Sequence, residues 1–573
     1  MRKKFIFIAL LVTLFSANSS WAQVAPQLPG SVNPGQVSRA LKQQQPHAAG
    51  SQVLAPVQTK ESPSEKALSE QVKKIKFKLN KITLTGNHVY STRELSLIYK
   101  DFIGKTISVA DLFGIVQSIT NYYRNNGYIL SRAVLPPQHV KEGNVQIQII
   151  EGYINKVSVS GNPRGSKCLV QKIGSKITEK RPLQITNMER YMLLENQIPG
   201  TTVKAVLAPD ATEPGAADIT LVTDTKVFGG YFSYDNYGTR YLGPQQMTGN
   251  VQGNSLWMAG DSSQVTFVKT PMGQELTYLD GNYNFPVTAE GIRWLVGGTR
   301  VKTHPLFILR PVDINGINKN YYTTVYFPII LTRSENLTLR AGFNYLDSSV
   351  TSLGILRLYL DSIRSLDLGG TYNFADSYGG YNAISADVRQ GLPIWGYSSN
   401  FSIPTATTSR PGGHAVYTKI IANVSRTQAI KGPFSVYGTV QGQHAFSALL
   451  AEEQFTFGGP IIGRGYDVAE FIGDQGFAGS LELRFDHSFE KYVQNIQLYL
   501  FYDGGIVWDY YFVGGVPTKQ SGTSTGVGMR FNMTQYISGN VMWTQVLTTK
   551  VAAEEFIGRG KAPRVFFSLV ASV

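Results

Sequence analysis

Residues 496–505 read IQLYLFYDGG. In an extended chain Ile496, Leu498, Leu500 and Tyr502 share one face, and Gln497, Tyr499, Phe501, Asp503 and Gly505 share the other. One face is wholly apolar and the other mixed. From about Phe228 to Val573 this alternation recurs as about sixteen segments of about ten residues each, the pattern of a transmembrane β-barrel. Clear cases are 246–257, 274–285, 337–346, 365–374, 416–425, 434–444 and 479–487. Turns separate them at Thr288-Ala289-Glu290, Arg333-Ser334-Glu335 and Lys431-Gly432-Pro433. In the last segment, 564–573, Phe567, Leu569, Ala571 and Val573 oppose Ser568 and Ser572. The apolar set is expected to meet lipid and the mixed set the lumen. Closure is required because open sheet edges do not survive in hydrocarbon.

Composition agrees with this. The chain has 31 tyrosines, 29 phenylalanines and 57 glycines, yet its mean hydropathy is only −0.10. Alternation hides a barrel's membrane signature in this way. Arg2, Lys3 and Lys4, the apolar run Phe5 to Phe15 and the small-residue ending Ser20-Trp21-Ala22 read as a secretory leader over 1–22. Cys168 is the only cysteine, so no internal disulfide and no cysteine metal site is expected. The seven histidines lack HExxH spacing, and no GxxxxGK[ST] loop occurs. The expectation is therefore no metal, no cofactor and no enzyme. The net charge of +14 suits a basic pore interior or acidic lipid headgroups as well as nucleic acid, and no nucleic-acid partner is expected.

Residues 23–70 are rich in Gln, Pro, Ala and Ser. Pro34 to Gln45 fits a short helix with Val37, Ala40 and Leu41 on one side. A disordered exported N-terminus and a detachable helix on a tether both remain open at this point. Two small α+β modules follow. In 75–151, a strand is expected from Lys76 to Leu84, a turn at Gly86-Asn87, a short helix from Thr92, a helix capped by Ser108, and strands at 128–134 and 145–150. In 152–226 the order repeats: a strand 154–159, a turn at Gly161-Asn162, a helix 182–194, and strands 202–208 and 218–222. Neither module contains a catalytic grouping. Small mixed domains with exposed sheet edges commonly bind other chains by strand addition.

The segment Phe457-Gly458-Gly459-Pro460-Ile461-Ile462-Gly463-Arg464-Gly465-Tyr466 sets one arginine among glycines in a long loop. Asp503 faces the lumen on a nearby strand. If the loop folds inward, Arg464 and Asp503 can form a charge-assisted, bidentate pair, with Gly505 leaving room for the loop tip. If it does not, Arg464 stands in solvent. The residues alone leave both open.

Two motifs in order carry a resemblance. Gly463-Arg464-Gly465-Tyr466 resembles the (V)RG(Y/F) loop tip, and Phe501-x-Asp503-x-Gly505 the F-x-D-x-G strand, of TpsB transporters of two-partner secretion in the outer-membrane protein 85 superfamily. Gly463 departs from the usual valine. The resemblance implies a mostly β protein: a 16-stranded transmembrane antiparallel β-barrel over 227–573 with an inward-folded loop at 459–478. Ahead of it come a signal peptide (1–22), an N-terminal plug helix (23–46), a linker (47–74) and two POTRA domains (75–151 and 152–226). It implies an outer-membrane monomer with periplasmic POTRA domains. These would capture the secretion domain of a large TpsA-type exoprotein (an adhesin, a cytolysin or a contact-dependent inhibition toxin), which then threads unfolded through the barrel without nucleotide. Outer-membrane lipids, and the barrel-assembly machinery and periplasmic chaperones during biogenesis, are the other implied partners. The Arg464–Asp503 pair would hold the loop in its working position. An outer-membrane insertase of the same superfamily is the alternative.

Overall fold

The computed structural model describes residues 28–45, 58–59, 75–210, 212–271, 273–399, 407–489, 494–510 and 519–573. The leader 1–22 and most of the linker 47–74 lie outside the described residues. Helix α1 spans Pro34–Gln44. The first module holds β1 (Lys76–Lys78), β2 (Lys81–Thr85), α2 (Thr92–Tyr99), β3 (Thr106–Ser108), α3 (Val109–Asn125), β4 (Arg132–Val134) and β5 (Asn144–Ile150). The second holds β6 (Tyr153–Asn162), α4 (Lys167–Ser175), α5 (Ile185–Asn196), β7 (Thr201–Pro209) and β8 (Ala216–Thr225). In both, the first core strand pairs in parallel with the last, β2 with β5 and β6 with β8. That shared topology agrees with an internal duplication.

Several local expectations need correction. The strand expected from Lys76 to Leu84 is two strands. Phe77 pairs with Ile107, but Leu79 is fully buried and its N–H donates to Lys105 O, after which Asn80 and Lys81 turn to Gly143 O. The chain changes partners at the buried leucine, so alternation continues while the ladder breaks. The strand expected at 128–134 is only Arg132–Val134. In the second module, Gly161-Asn162 ends β6 rather than forming a turn outside it, and helix α4 follows, unanticipated. Helix α5 begins at Ile185, not Pro182, because the Ile185 N–H that would close the first turn of the longer helix is taken by Gly127 O. The Ser108 cap is present: its hydroxyl accepts from Asp111 N while the Asp111 carboxylate accepts from Ser108 N.

The barrel strands are β9 (Phe228–Asp235), β10 (Gln246–Asn254), β11 (Ser262–Lys269), β12 (Leu276–Pro286), β13 (Arg293–Thr303) and β14 (Ile314–Leu331). Then come β15 (Glu335–Ser352), β16 (Leu356–Ala375), β17 (Gly380–Gly391), β18 (Thr418–Lys431) and β19 (Phe434–Ala445). The series ends with β20 (Gln475–Ser488), β21 (Asn495–Trp508), β22 (Lys519–Asn532), β23 (Ile537–Val546) and β24 (Arg564–Ser572). These sixteen strands form one closed antiparallel barrel, with β24 returning to β9 through five residue pairs. Alternation reads directly as burial on β21: Leu498, Leu500 and Tyr502 are exposed outward, while Tyr499, Phe501 and Asp503 are buried. Residues 475–478 belong to β20, not to the inward loop, because Gln475 to Ala478 already pair with Trp508 to Gly505. The strand expected to reach 257 stops at Asn254, before Ser255 takes a left-handed φ of 53°.

The second module is sealed to the short turns at one end of the barrel. Ala289 from one of those turns and Leu331 at the end of β14 are buried in the module's own core with Met188, Tyr191 and Leu194. Arg190 on α5 donates to Ile329 O (3.2 Å) and Pro328 O (3.1 Å), and Arg333 N donates to Glu189 (2.8 Å). Within the linker, Gln58–Thr59 pair in parallel with Val206 and Leu207 on the free edge of β7.

Glu195 lies at the centre of that module, fully buried, with neither carboxylate oxygen hydrogen-bonded. Burial pushes its carboxyl well above the ordinary glutamate value. The folded module therefore favours the protonated acid. Its stability is fullest below the unfolded value of about 4.3 and falls as pH rises toward the raised folded value. Hydrogen exchange of the α5 amides, corrected for intrinsic rate, should lose protection as pH rises above the ordinary glutamate range in the native chain and stay flat in Glu195→Gln. Parallel loss in both proteins would remove Glu195 from the account.

Candidate functional site

Two elements enter the barrel. The first is α1. Asn33 caps it: its Oδ1 accepts from Gly35 N (3.0 Å) and Gln36 N (3.2 Å), and its amide donates to Tyr359 Oη (3.1 Å) on the inner wall. Val37 and Leu41 pack with Val268, Leu276, Tyr278 and Val301, the lumen-facing residues of β11 to β13. Ala40, grouped with them from the sequence, is only partly buried. Lys42 sits 3.6 Å from the centre of the Tyr322 ring and 3.6 Å from Asp280. The opposite side of the helix meets the start of the long loop. Arg39 donates to Gln454 O (2.9 Å) and to Glu452 O, and Gln36 to Ala451 O.

The second element is that loop, between β19 and β20. Its stem is a small hairpin pairing Phe455–Phe457 with Phe471–Gly473. Its tip brings Arg464 to Asp503. Arg464 Nε and Nη2 donate to the two Asp503 oxygens at 2.9 and 2.6 Å, and the backbone N–H groups of Gly463 and Arg464 donate to Oδ2 at 2.9 Å each. Arg464 Nη2 also donates to Ser480 Oγ (2.6 Å), and Nη1 to Glu482. The guanidinium carbon stacks 3.6 Å above the Phe501 ring. Both charges are buried.

Barrel register explains why these groups meet. Ser480 is the ladder partner of Asp503, and Asp503 that of Ser524. The three form one inward row across β20, β21 and β22, and all touch the tip, Ser524 accepting from Gly465 N at 3.3 Å. Tyr466 stacks edge-on to Phe471 at 4.9 Å and donates to Thr523 O at 3.1 Å. Gly463 has a φ of 83°, a conformation that disfavours the family's valine and suits the glycine found here. Gly505 leaves room for a different group than expected. A Cβ there would lie 2.4 Å from Phe457 of the hairpin stem, not against the tip.

Glu482, Ser480 and Ser524 were not picked out from the sequence, and Phe457 was named there only as the first residue of the loop segment. Glu482 accepts from three arginines, Arg464, Arg484 and Arg530, and so fixes the wall beneath the tip. The alternation of Ala478, Ser480, Glu482 and Arg484 places them inward, but only register reveals which carboxylate lies beside Asp503. A further pair anchors the loop beyond the tip, Asp467 with Arg564 at 2.7 Å.

A closed sixteen-strand barrel with two small modules on one end and an arginine-tipped loop bound to its inner wall defines an outer-membrane transporter of the two-partner secretion (TpsB) class, its modules in the periplasm. A sequence model of the family described as haemolysin secretion/activation protein ShlB/FhaC/HecB matches residues 215–531, more than half the chain, and this protein belongs to that family. A POTRA domain of the ShlB type matches residues 77–152. The chain is 24% identical over 525 residues to the heme/hemopexin transporter protein HuxB of Haemophilus influenzae strain 86-028NP, covering 88% of each. It is 21% identical over 456 residues to the outer membrane transporter CdiB of Dickeya dadantii strain 3937, covering 76% of this chain and 77% of that one. The solved structure of CdiB from Escherichia coli shares the fold at a TM-score of 0.69 and 16% identity, covering 94% of this chain and 96% of that one.

With α1 and the loop removed from the lumen, a barrel of this strand number is open to water. Deleting residues 34–45 should raise the ion conductance of the purified barrel in a planar bilayer. Unchanged conductance would mean that the helix does not plug the pore.

Proposed function

We propose that the POTRA modules capture the N-terminal secretion domain of a TpsA-type exoprotein as it arrives unfolded in the periplasm. The barrel then passes it to the cell surface. The observation that carries this reading is the Arg464 tip held to Asp503, Glu482 and Ser480, beside a helix seated in the same lumen. Both fillers are held by non-covalent contacts, so a threading chain can displace or slide past them without bond chemistry. No nucleotide is needed, in keeping with the missing phosphate loop, and no catalytic chemistry is assigned to the chain. The Arg464–Asp503 pair keeps the loop in its working position. The barrel acts as a monomer, assembled by the barrel-assembly machinery with periplasmic chaperones. The name of HuxB adds a haem- or hemopexin-binding exoprotein to the candidate cargoes.

Removing one partner of a buried ion pair leaves an unpaired charge and costs about 3–5 kcal/mol. Arg464→Ala should therefore lower export of the exoprotein encoded beside this gene by about tenfold or more, with folded barrel nearly unchanged in the membrane. Equal loss of export and of barrel would make the pair a folding element only. Unchanged export with failed assembly of other outer-membrane barrels would make the chain an insertase.

A further inference from the structure

The outer wall carries a feature that secretion does not use. Lys269 on β11, Arg300 and Lys302 on β13 and Lys319 on β14 are all exposed. Their sequence neighbours Val268, Val301 and Asn318 are buried on the lumen side, so alternation turns the four cations outward. They lie toward the strand ends remote from the turns that hold the second module. Lys269 is the last residue of β11, and Lys302 the last but one of β13.

Register sets them together. Arg300 is directly opposite Lys319, and Thr277 is the ladder partner of both Lys302 and Lys269. The two rows are two residues apart along the strands, about 7 Å. Like charges directly opposite on one face repel. Among the described residues, no carboxylate comes within ion-pair distance of any of the four. Asp347, opposite Lys319, is held by Arg364 at 2.9 Å instead.

Two residues nearer the periplasm than Lys269 and Lys319 on their own strands, Phe267 and Tyr321 are 43% and 59% exposed, and Phe267 lies in the ladder row of Arg300 and Lys319. Outward aromatics of this kind mark the membrane boundary. The cations therefore stand at headgroup level, where a lipid-facing Arg or Lys costs far less than at the midplane. A membrane lipid with an anionic headgroup complements this face. Four cations in two rows offer enough charge for two phosphates. Arg300 supplies a planar fork and the lysines point charges.

We propose that Lys269, Arg300, Lys302 and Lys319 bind the phosphates of a bisphosphorylated outer-leaflet glycolipid of the lipopolysaccharide class. The proposal rests on the barrel's placement in the outer membrane, not on the identity of the cargo. Native mass spectrometry of the full-length chain in detergent tests it. The probes are bisphosphoryl lipid A, dephosphorylated lipid A and phosphatidylglycerol. The native chain should retain bisphosphoryl lipid A in preference to both others. Arg300→Gln/Lys319→Gln should weaken that retention by about tenfold or more, and Lys519→Gln, at the outward start of β22, should not. Heat-modifiable gel migration reports that the barrel is folded; should the first pair fail to fold, Lys269→Gln/Lys302→Gln reads the same contact. Equal retention by native chain and folded variant, or equal retention of the three lipids, overturns the proposal.

Discussion

A guanidinium taken out of water must be paired, and most of the lumen's architecture follows from where Arg464 finds its partners. A buried charge is tolerated only when its hydrogen-bonding capacity is met. Asp503, Glu482 and Ser480 supply that, with Phe501 beneath the plane. The loop cannot float at several depths and keep this set. Once the tip is fixed, the hairpin stem must lie where Phe457 meets Gly505, and the loop's entry lies where Arg39 of α1 reaches Glu452 and Gln454. One ion pair thus sets the position of a hairpin and of one side of a helix.

The helix and the loop are held by different chemistry. The loop tip is clamped by charge. The helix packs Val37 and Leu41 on an apolar strip and adds, through Lys42, a cation–ring contact and a single ion pair to Asp280. Its bonds to the loop run mainly to backbone carbonyls. Such contacts are individually modest, whereas opening the Arg464 cluster strands charge in a buried site.

Much of the barrel was legible because its physics is periodic. Lipid on one side and lumen on the other force alternation, and β21 displays it residue by residue. From the residues alone the pair Arg464–Asp503 was one of two open readings, and the resemblance of the Arg-Gly-Tyr tip and the Phe-x-Asp-x-Gly strand to a known loop and wall put the two together. The remainder was hidden for definite reasons. The break at Leu79 preserves the alternation while changing the hydrogen-bond partner. Helix α4 is short and lies behind a strand end that resembles a turn. Glu482, Ser480 and Ser524 depend on register, a relation between strands that no single segment encodes. Phe457, rather than the tip, fills the space at Gly505 because the hairpin stem doubles back.

Ala289 belongs by sequence to a barrel turn and Leu331 to the end of a barrel strand, but both belong by packing to the core of the second POTRA module. That module therefore lacks a complete core of its own, and the joint between it and the barrel is a weld rather than a hinge. The welded turns link β12 to β13 and β14 to β15. Three of those strands also bear the apolar seat or ring contact of α1, through Tyr278, Val301 and Tyr322. A pull on the module runs along a continuous load path into the staves on which the helix rests.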